Sequence, residues 1–151
     1  MEIVQYPNLI LKKETKRVEK IDKNIKQIVE KMKRVMVKEG GIGLSANQIG
    51  IDLAIFIAKP KDKFYVFINP EIIETKGEEI KEEGCLSIKN KYGLVKRAKE
   101  VKIKYQTLSG KEKIMKAKGL LAHIIQHEYD HLKGILFIDK AMQIYEIDSN
   151  D

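Results

Sequence analysis

The stretch LLAHIIQHEYDHLKG, residues 120–134, constrains the fold of this chain more than any other. Leu120, Leu121, Ile124, Ile125 and Leu132 predict a helix facing the core, yet His127, Glu128 and His131 stand within it as HExxH. Residues four apart lie above one another on a helix, so both imidazoles can address one ion. Glu128 points about 100° away around the axis, where it can reach a water on that ion without binding the ion itself. A polar trio in a core-facing helix needs partners, and a metal is one. This is the geometry of metal-assisted hydrolysis.

A tetrahedral site needs a third protein ligand. His123 continues the series His123, His127, His131, but two steps of four cover about 12 Å along the axis and turn about 80° around it. One ion cannot bind all three from a straight helix, so His123 reads as a pocket-lining or partly exposed residue. The single cysteine, Cys85, lies in EEGCLS, far enough away to arrive on another element. A lone cysteine is commonly a small buried hydrophobe. Beside two histidines short of a ligand, it becomes the candidate third one. Two imidazoles and a thiolate leave the fourth position to water, as in a catalytic site, and suit zinc, iron(II), cobalt or nickel.

Three stretches then carry a resemblance: GIGLSANQIG at 41–50, EGCLS at 83–87 and QHEYDHLKG at 126–134. In order and spacing they resemble the three motifs of the peptide deformylase family, and IVQYPNLILKK at 3–13 is similar to the family's opening. The resemblance implies a hydrolase that removes the formyl group from N-formylmethionyl nascent peptides and releases formate. It implies iron(II) as the native ion at Cys85, His127 and His131, with zinc, nickel or cobalt able to replace it. Glu128 is then the proton carrier, while the Gln48 amide and the Leu86 backbone N–H hold the developing oxyanion. Ile42, Gly43, Leu44, His123 and Arg97 are the candidate substrate-binding residues, with Ile42 and Leu86 as apolar walls. The chain departs from the family at several points. Ser45 and Asn47 stand where alanine and threonine are common, IKNKYG follows EGCLS without the usual proline, and His123 brings a polar edge to the methionine pocket. Arg97, an arginine among lysines, is expected to clamp Glu83 and fix the cysteine loop, since a guanidinium fork matches a carboxylate where lysine cannot.

The rest of the chain bounds this reading. Its 151 residues predict one domain, 1–151, with no low-complexity linker. The start MEIVQYPN has neither an apolar signal core nor an Arg-rich presequence, and the nearest apolar run, LAIFIA at 53–58, is too short for a membrane span. A cytoplasmic protein, or the mature form of an organelle protein, is expected, and one cysteine permits no internal disulfide. The net charge of +7 raises the question of nucleic acid. Only Arg17, Arg34 and Arg97 are arginines, and the lysines alternate with glutamates as on a solvated surface. Specific DNA binding is therefore not expected; a transient ribosome contact would suit an enzyme of nascent chains.

Between residues 21 and 39, Ile25, Ile28, Val29, Met32, Val35 and Met36 recur at helical steps, with Asp22 as N-cap and Gly40 and Gly41 as the stop. Residues 53–58 and 64–69 read as strands, and Asn69-Pro70 as a turn. ETKGEEIKEEG at 74–84 is expected to form a hairpin. VKIKY at 101–105 alternates as a half-buried strand, Ser109-Gly110 marks a hairpin, and KEKIMKAKG leads back to the HExxH helix. GILFIDKAMQIYEI at 134–147 reads as a short extended stretch followed by a helical turn or two. The expected class is α+β, with antiparallel strands around a central metal-binding HExxH helix and an N-terminal amphipathic helix. Two other readings use the same residues: a zincin-like peptidase, which has no use for the other two motifs, and a non-catalytic module whose closed metal site shapes an RNA-binding surface.

Overall fold

A computed structural model describes residues 3–147; the ends of the expected 1–151 domain, including most of the acidic tail IDSND, lie outside the described residues. The architecture is mixed α+β with two antiparallel sheets. Helix α1 (Lys23–Lys38) is followed by β1 (Gly43–Ser45), a 3-10 turn (Ala46–Ile49), β2 (Ile55–Ala58), β3 (Tyr65–Lys76), β4 (Glu79–Cys85), β5 (Ile88–Arg97), β6 (Glu100–Gln106) and β7 (Glu112–Lys118). Helix α2 (Gly119–Leu132), a short α3 (Phe137–Lys140) and β8 (Gln143–Glu146) complete it. One sheet has the order β1-β2-β3-β6-β7 and the other β4-β5-β8. Among the described residues, no helix is long and apolar enough to cross a membrane.

Helix α1 starts where the Asp22 carboxylate accepts the Ile25 N–H at 3.2 Å. It ends where Gly40, at φ 72°, lets the Gly40 and Gly41 N–H groups close onto Val37 and Met36 carbonyls. Its buried stripe packs on Leu44, Ile55, Ile57 and Ile68, while Phe56, Phe67 and Ile103 face Ile124 and Ile125 of α2 across the sheet. The two helices thus cover opposite faces of β2, which is why IFIA is apolar throughout instead of alternating. Each fully buried Ile or Phe contributes about 1.5–3 kcal/mol here. The Phe56 and Phe67 rings stack at 4.7 Å directly beneath α2.

Three expectations are corrected. Asn69-Pro70 makes no turn: β3 runs on to Lys76, with a register shift between Ile68 and Glu71. Asn69, at φ 50°, forms the irregularity, and its carboxamide bonds the Val18 N–H and C=O and the Gln106 side chain at 2.7–2.8 Å, so the strand bulges without reversing. ETKGEEIKEEG makes no hairpin either, because β3 pairs with β6 and β4 with β5. Gly77, at φ 71°, carries the chain from one sheet to the other, tight against Lys99 of the return crossing. Finally, the helical turn expected near the C-terminus is followed by a strand that was not expected. Asp139 accepts the Leu136 N–H at 2.9 Å and starts α3, and QIYE then pairs with β5 as a third strand.

Candidate active site

Helix α2 and the turn after β4 build the site together. Cys85 ends β4, and its sulfur and one nitrogen each of His127 and His131 lie within 4.8 Å of one another, with Cys85 Sγ 3.3 Å from His131 Nε2. Ligands of a tetrahedral ion sit roughly 3.3–3.8 Å apart, so two imidazoles and a thiolate at these separations fit one divalent metal. His123 is not in this group, as the helical geometry requires.

The end of α2 is held firmly. Gly134, at φ 76°, and Ile135 close onto the His131 and Asp130 carbonyls, and a Cβ on Gly134 would lie 2.6 Å from the Lys12 carbonyl oxygen. Asn47 donates Nδ2–H to the His131 carbonyl at 2.8 Å and so clasps the end of α2. Gln126 grips both backbone groups of Ala98 at 2.8 and 2.9 Å and fixes α2 against the crossing between the sheets.

Glu83 and Arg97 form the support of the site. Arg97 donates to both Glu83 oxygens at 2.6 and 2.8 Å and to Asp130 of α2 at 2.7 Å, with only 4% of the arginine exposed. The expected clamp on the cysteine loop is present, and it extends to Asp130, which the sequence reading missed. Burial opposes the Glu83 charge, but Arg97, His123 and His127 outweigh it and hold the carboxyl well below its usual range. An ionised Glu83 only accepts, so His127 donates Nδ1–H to it at 2.7 Å and keeps Nε2 for the metal side.

The imidazoles then differ. Burial alone would lower His127, yet Cys85, Glu83 and Glu128 raise it well above the ordinary value; burial and the His127 charge push His131 well below it. The pocket favours one positive charge near His127 Nε2, which a proton or a metal cation can supply. Glu128 sits beside it, with Oε2 4.0 Å from His127 Nε2 and Oε1 buried without a partner among the described residues. Burial pushes this carboxyl up to about 7. The β1 backbone comes so close that a Cβ on Gly43 would lie 2.7 Å from Glu128 Oε2, which explains the glycine.

A cleft of about 620 Å³ opens over these groups, between β1, the Cys85 turn and α2. Ile42, Gly43, Leu86 and His123 line it. Leu44 and Arg97 do not: Leu44 is fully buried against α1, on the opposite side of the strand from Gly43, and Arg97 is committed to its two carboxylates. Their assignment to substrate binding is corrected. Leu86 also packs on Gly41, and its carbonyl accepts from Gln5 at 3.0 Å, which ties the turn to the N-terminal segment. Gln48 lies on the buried 3-10 turn. Ser45 donates its N–H and hydroxyl to Gln48 Oε1, and the Gln48 amide donates to Ser87 Oγ at 3.0 Å, with Cys85 Sγ at 3.5 Å. Sequence reasoning missed Ser87, although it stands inside EGCLS. It also missed Tyr92, whose ring fills the space a side chain on Gly84 would need.

With this geometry in view, comparisons with known proteins agree. The sequence profile described as polypeptide deformylase matches residues 1–146. A peptide deformylase of Dictyoglomus turgidum is 46% identical over 143 residues, covering 95% of this chain and 94% of that protein. The crystal structure of peptide deformylase from Thermotoga maritima superposes with a TM-score of 0.91 at 36% identity, over 94% of this chain and 97% of that one. A Plasmodium falciparum peptide deformylase in complex with an inhibitor gives 0.89 at 40% identity, over 94% and 90%.

Proposed function

The chain belongs to the polypeptide deformylase family, and from that premise we propose how its cleft hydrolyses the formyl group of N-formylmethionyl nascent peptides. Cys85, His127 and His131 hold a divalent ion, iron(II) in the native enzyme by family resemblance, with zinc, nickel or cobalt as substitutes. When bound there, the ion would supply Lewis acidity and would lower the pKa of a water toward neutrality.

This chain's own residues do the rest. Glu128, with a carboxyl near 7 and one oxygen free of other partners, takes the proton of the attacking water as its oxygen bonds to the formyl carbon. The Gln48 amide, steered by Ser45 and Ser87, and the Leu86 N–H donate to the oxyanion that develops. Glu128 then delivers the proton to the departing nitrogen. The C–N bond breaks, and formate and a free methionyl amine remain. Ile42 and Leu86 provide apolar walls for the methionine side chain, and His123 a polar edge. The chain acts as one catalytic unit on nascent peptides, and any contact with the ribosome is transient.

The observation that carries the reading is the placement of Glu128, buried and with one carboxylate oxygen unpartnered among the described residues, against the Cys85, His127 and His131 cluster at the base of the cleft. Formate release from formyl-Met-Ala-Ser tests it, with anaerobically purified protein loaded with iron(II) or nickel. Release by the wild type and loss of at least 10²-fold in Glu128→Gln, with the metal still bound, is the expected result. Metal binding without release in the wild type contradicts it.

A further inference from the structure

The third histidine stands outside the metal cluster, yet it is built into the site. His123 Nε2 lies 2.7 Å from Glu83 Oε2, at the wall of the cleft, with 18% of its side chain exposed. The other donors to Glu83 are Arg97 Nε at 2.6 Å, Arg97 Nη2 at 2.8 Å and His127 Nδ1 at 2.7 Å. A carboxylate offers about four acceptor sites, and these four donors use them all. Arg97 comes from the sheet side. His123 and His127, one turn apart on α2, reach the same carboxylate from the helix side.

We infer that His123 is a positioning residue for the metal ligand His127, acting through the carboxylate that they share. Of the two donors to Oε2, His123 lines the cleft and Arg97 does not. Without the His123 bond, the carboxylate gains a free acceptor toward the cleft, and water or a rotation of the carboxylate can draw Glu83 away from His127 Nδ1. The hydrogen bond that leaves His127 Nε2 free for the ion then weakens. Changes in such outer partners typically lower metal affinity by about 10-fold to 100-fold. His123 touches neither the ion nor the reacting atoms in this scheme.

The inference rests on the deformylase reading for its purpose, but its test does not depend on turnover. Zinc affinity is measured by chelator competition in the wild type, His123→Leu and His123→Gln. The Leu variant fills space without a donor, and the Gln variant retains an N–H. Nitrogen-15 NMR of the metal-free proteins follows the His127 Nδ1–H and His123 Nε2–H protons. The expected result is zinc affinity about 10-fold lower in the Leu variant, with a shifted or fast-exchanging His127 Nδ1–H, and affinity within about twofold of wild type in the Gln variant. Unchanged affinity in the Leu variant overturns the inference, as does equal loss in both variants. A wild-type spectrum without a protected His123 Nε2–H overturns it even where the Leu variant fails to fold. Formate release measured in parallel separates the two claims: zinc affinity that follows the donor in a protein that releases no formate removes the deformylase reading alone.

Discussion

Glu83 and Glu128 flank the same imidazole, each only 4% exposed, and their electrostatics are opposite. Glu83 receives four hydrogen bonds from Arg97, His123 and His127 and is held ionised far below its usual range. Glu128 has one oxygen without a partner among the described residues, and burial raises its carboxyl to about 7. Equal burial therefore does not give equal chemistry; the number of donors decides. The satisfied carboxylate serves as a fixed anchor that orients a ligand. The unsatisfied one can exchange a proton near neutral pH, which a general base must do.

Breaking the anchor should give the largest effect. Arg97→Ala leaves Glu83 and Asp130 buried without their shared cation, and should lower stability by about 3–5 kcal/mol, or Tm by roughly 10 °C, in calorimetry of the metal-free protein. Arg97→Lys retains the charge but not the fork, and should weaken metal retention in a chelator competition.

On the catalytic side, Gln48→Ala removes a donor to the oxyanion and should raise the barrier by about 2.7–4 kcal/mol, read as a fall of 10² to 10³ in kcat with the metal content unchanged. The proton held by Glu128 gives a third effect. Its folded value near 7 exceeds the model-peptide value of 4.5, so the folded state binds more protons than the unfolded state between these limits. Stability of the metal-free protein attributable to this group should fall as pH rises from 4.5 to 7 and level off above, by about 3 kcal/mol in all. Denaturant titrations of the wild type and Glu128→Gln, compared across that window, should show the difference in slope. Glu83 acts in the opposite sense, since its depressed value stabilises the fold above pH 4.5 and that contribution is lost as pH falls below it. The smallest effect expected is that of Asn47→Ala, about 1 kcal/mol of stability or roughly 2–4 °C in Tm, from loss of its buried hydrogen bonds to the His131 carbonyl and the Ser45 hydroxyl.

Local patterns carried much of this structure. The caps of α1 at Asp22 and Gly40, the HExxH face and the β6 to β7 hairpin are all written within a few residues of one another. The failures were nonlocal. Asn69-Pro70 has the composition of a turn, but Val18 and Gln106 claim the asparagine side chain and keep the strand extended. QIYE becomes a strand only because β5 offers it an edge. At the site, the pairing of Arg97 with Glu83 followed from guanidinium geometry, whereas Asp130 gave no sign that it would share that cation. Ser87 and Tyr92 act through Gln48 and Gly84, contacts that sequence distance conceals. Leu44 shows the limit of motif reading, since one residue along a strand moves a side chain from the cleft to the core.

The most direct measurement is a carbon-13 carboxyl titration of the metal-free protein, with the Glu83 and Glu128 signals assigned through Glu83→Gln and Glu128→Gln. The Glu128 resonance should titrate near pH 7, while Glu83 stays ionised down to the onset of acid unfolding. A Glu128 midpoint near 4.5, or a Glu83 midpoint at or above it, would contradict the division between anchor and base.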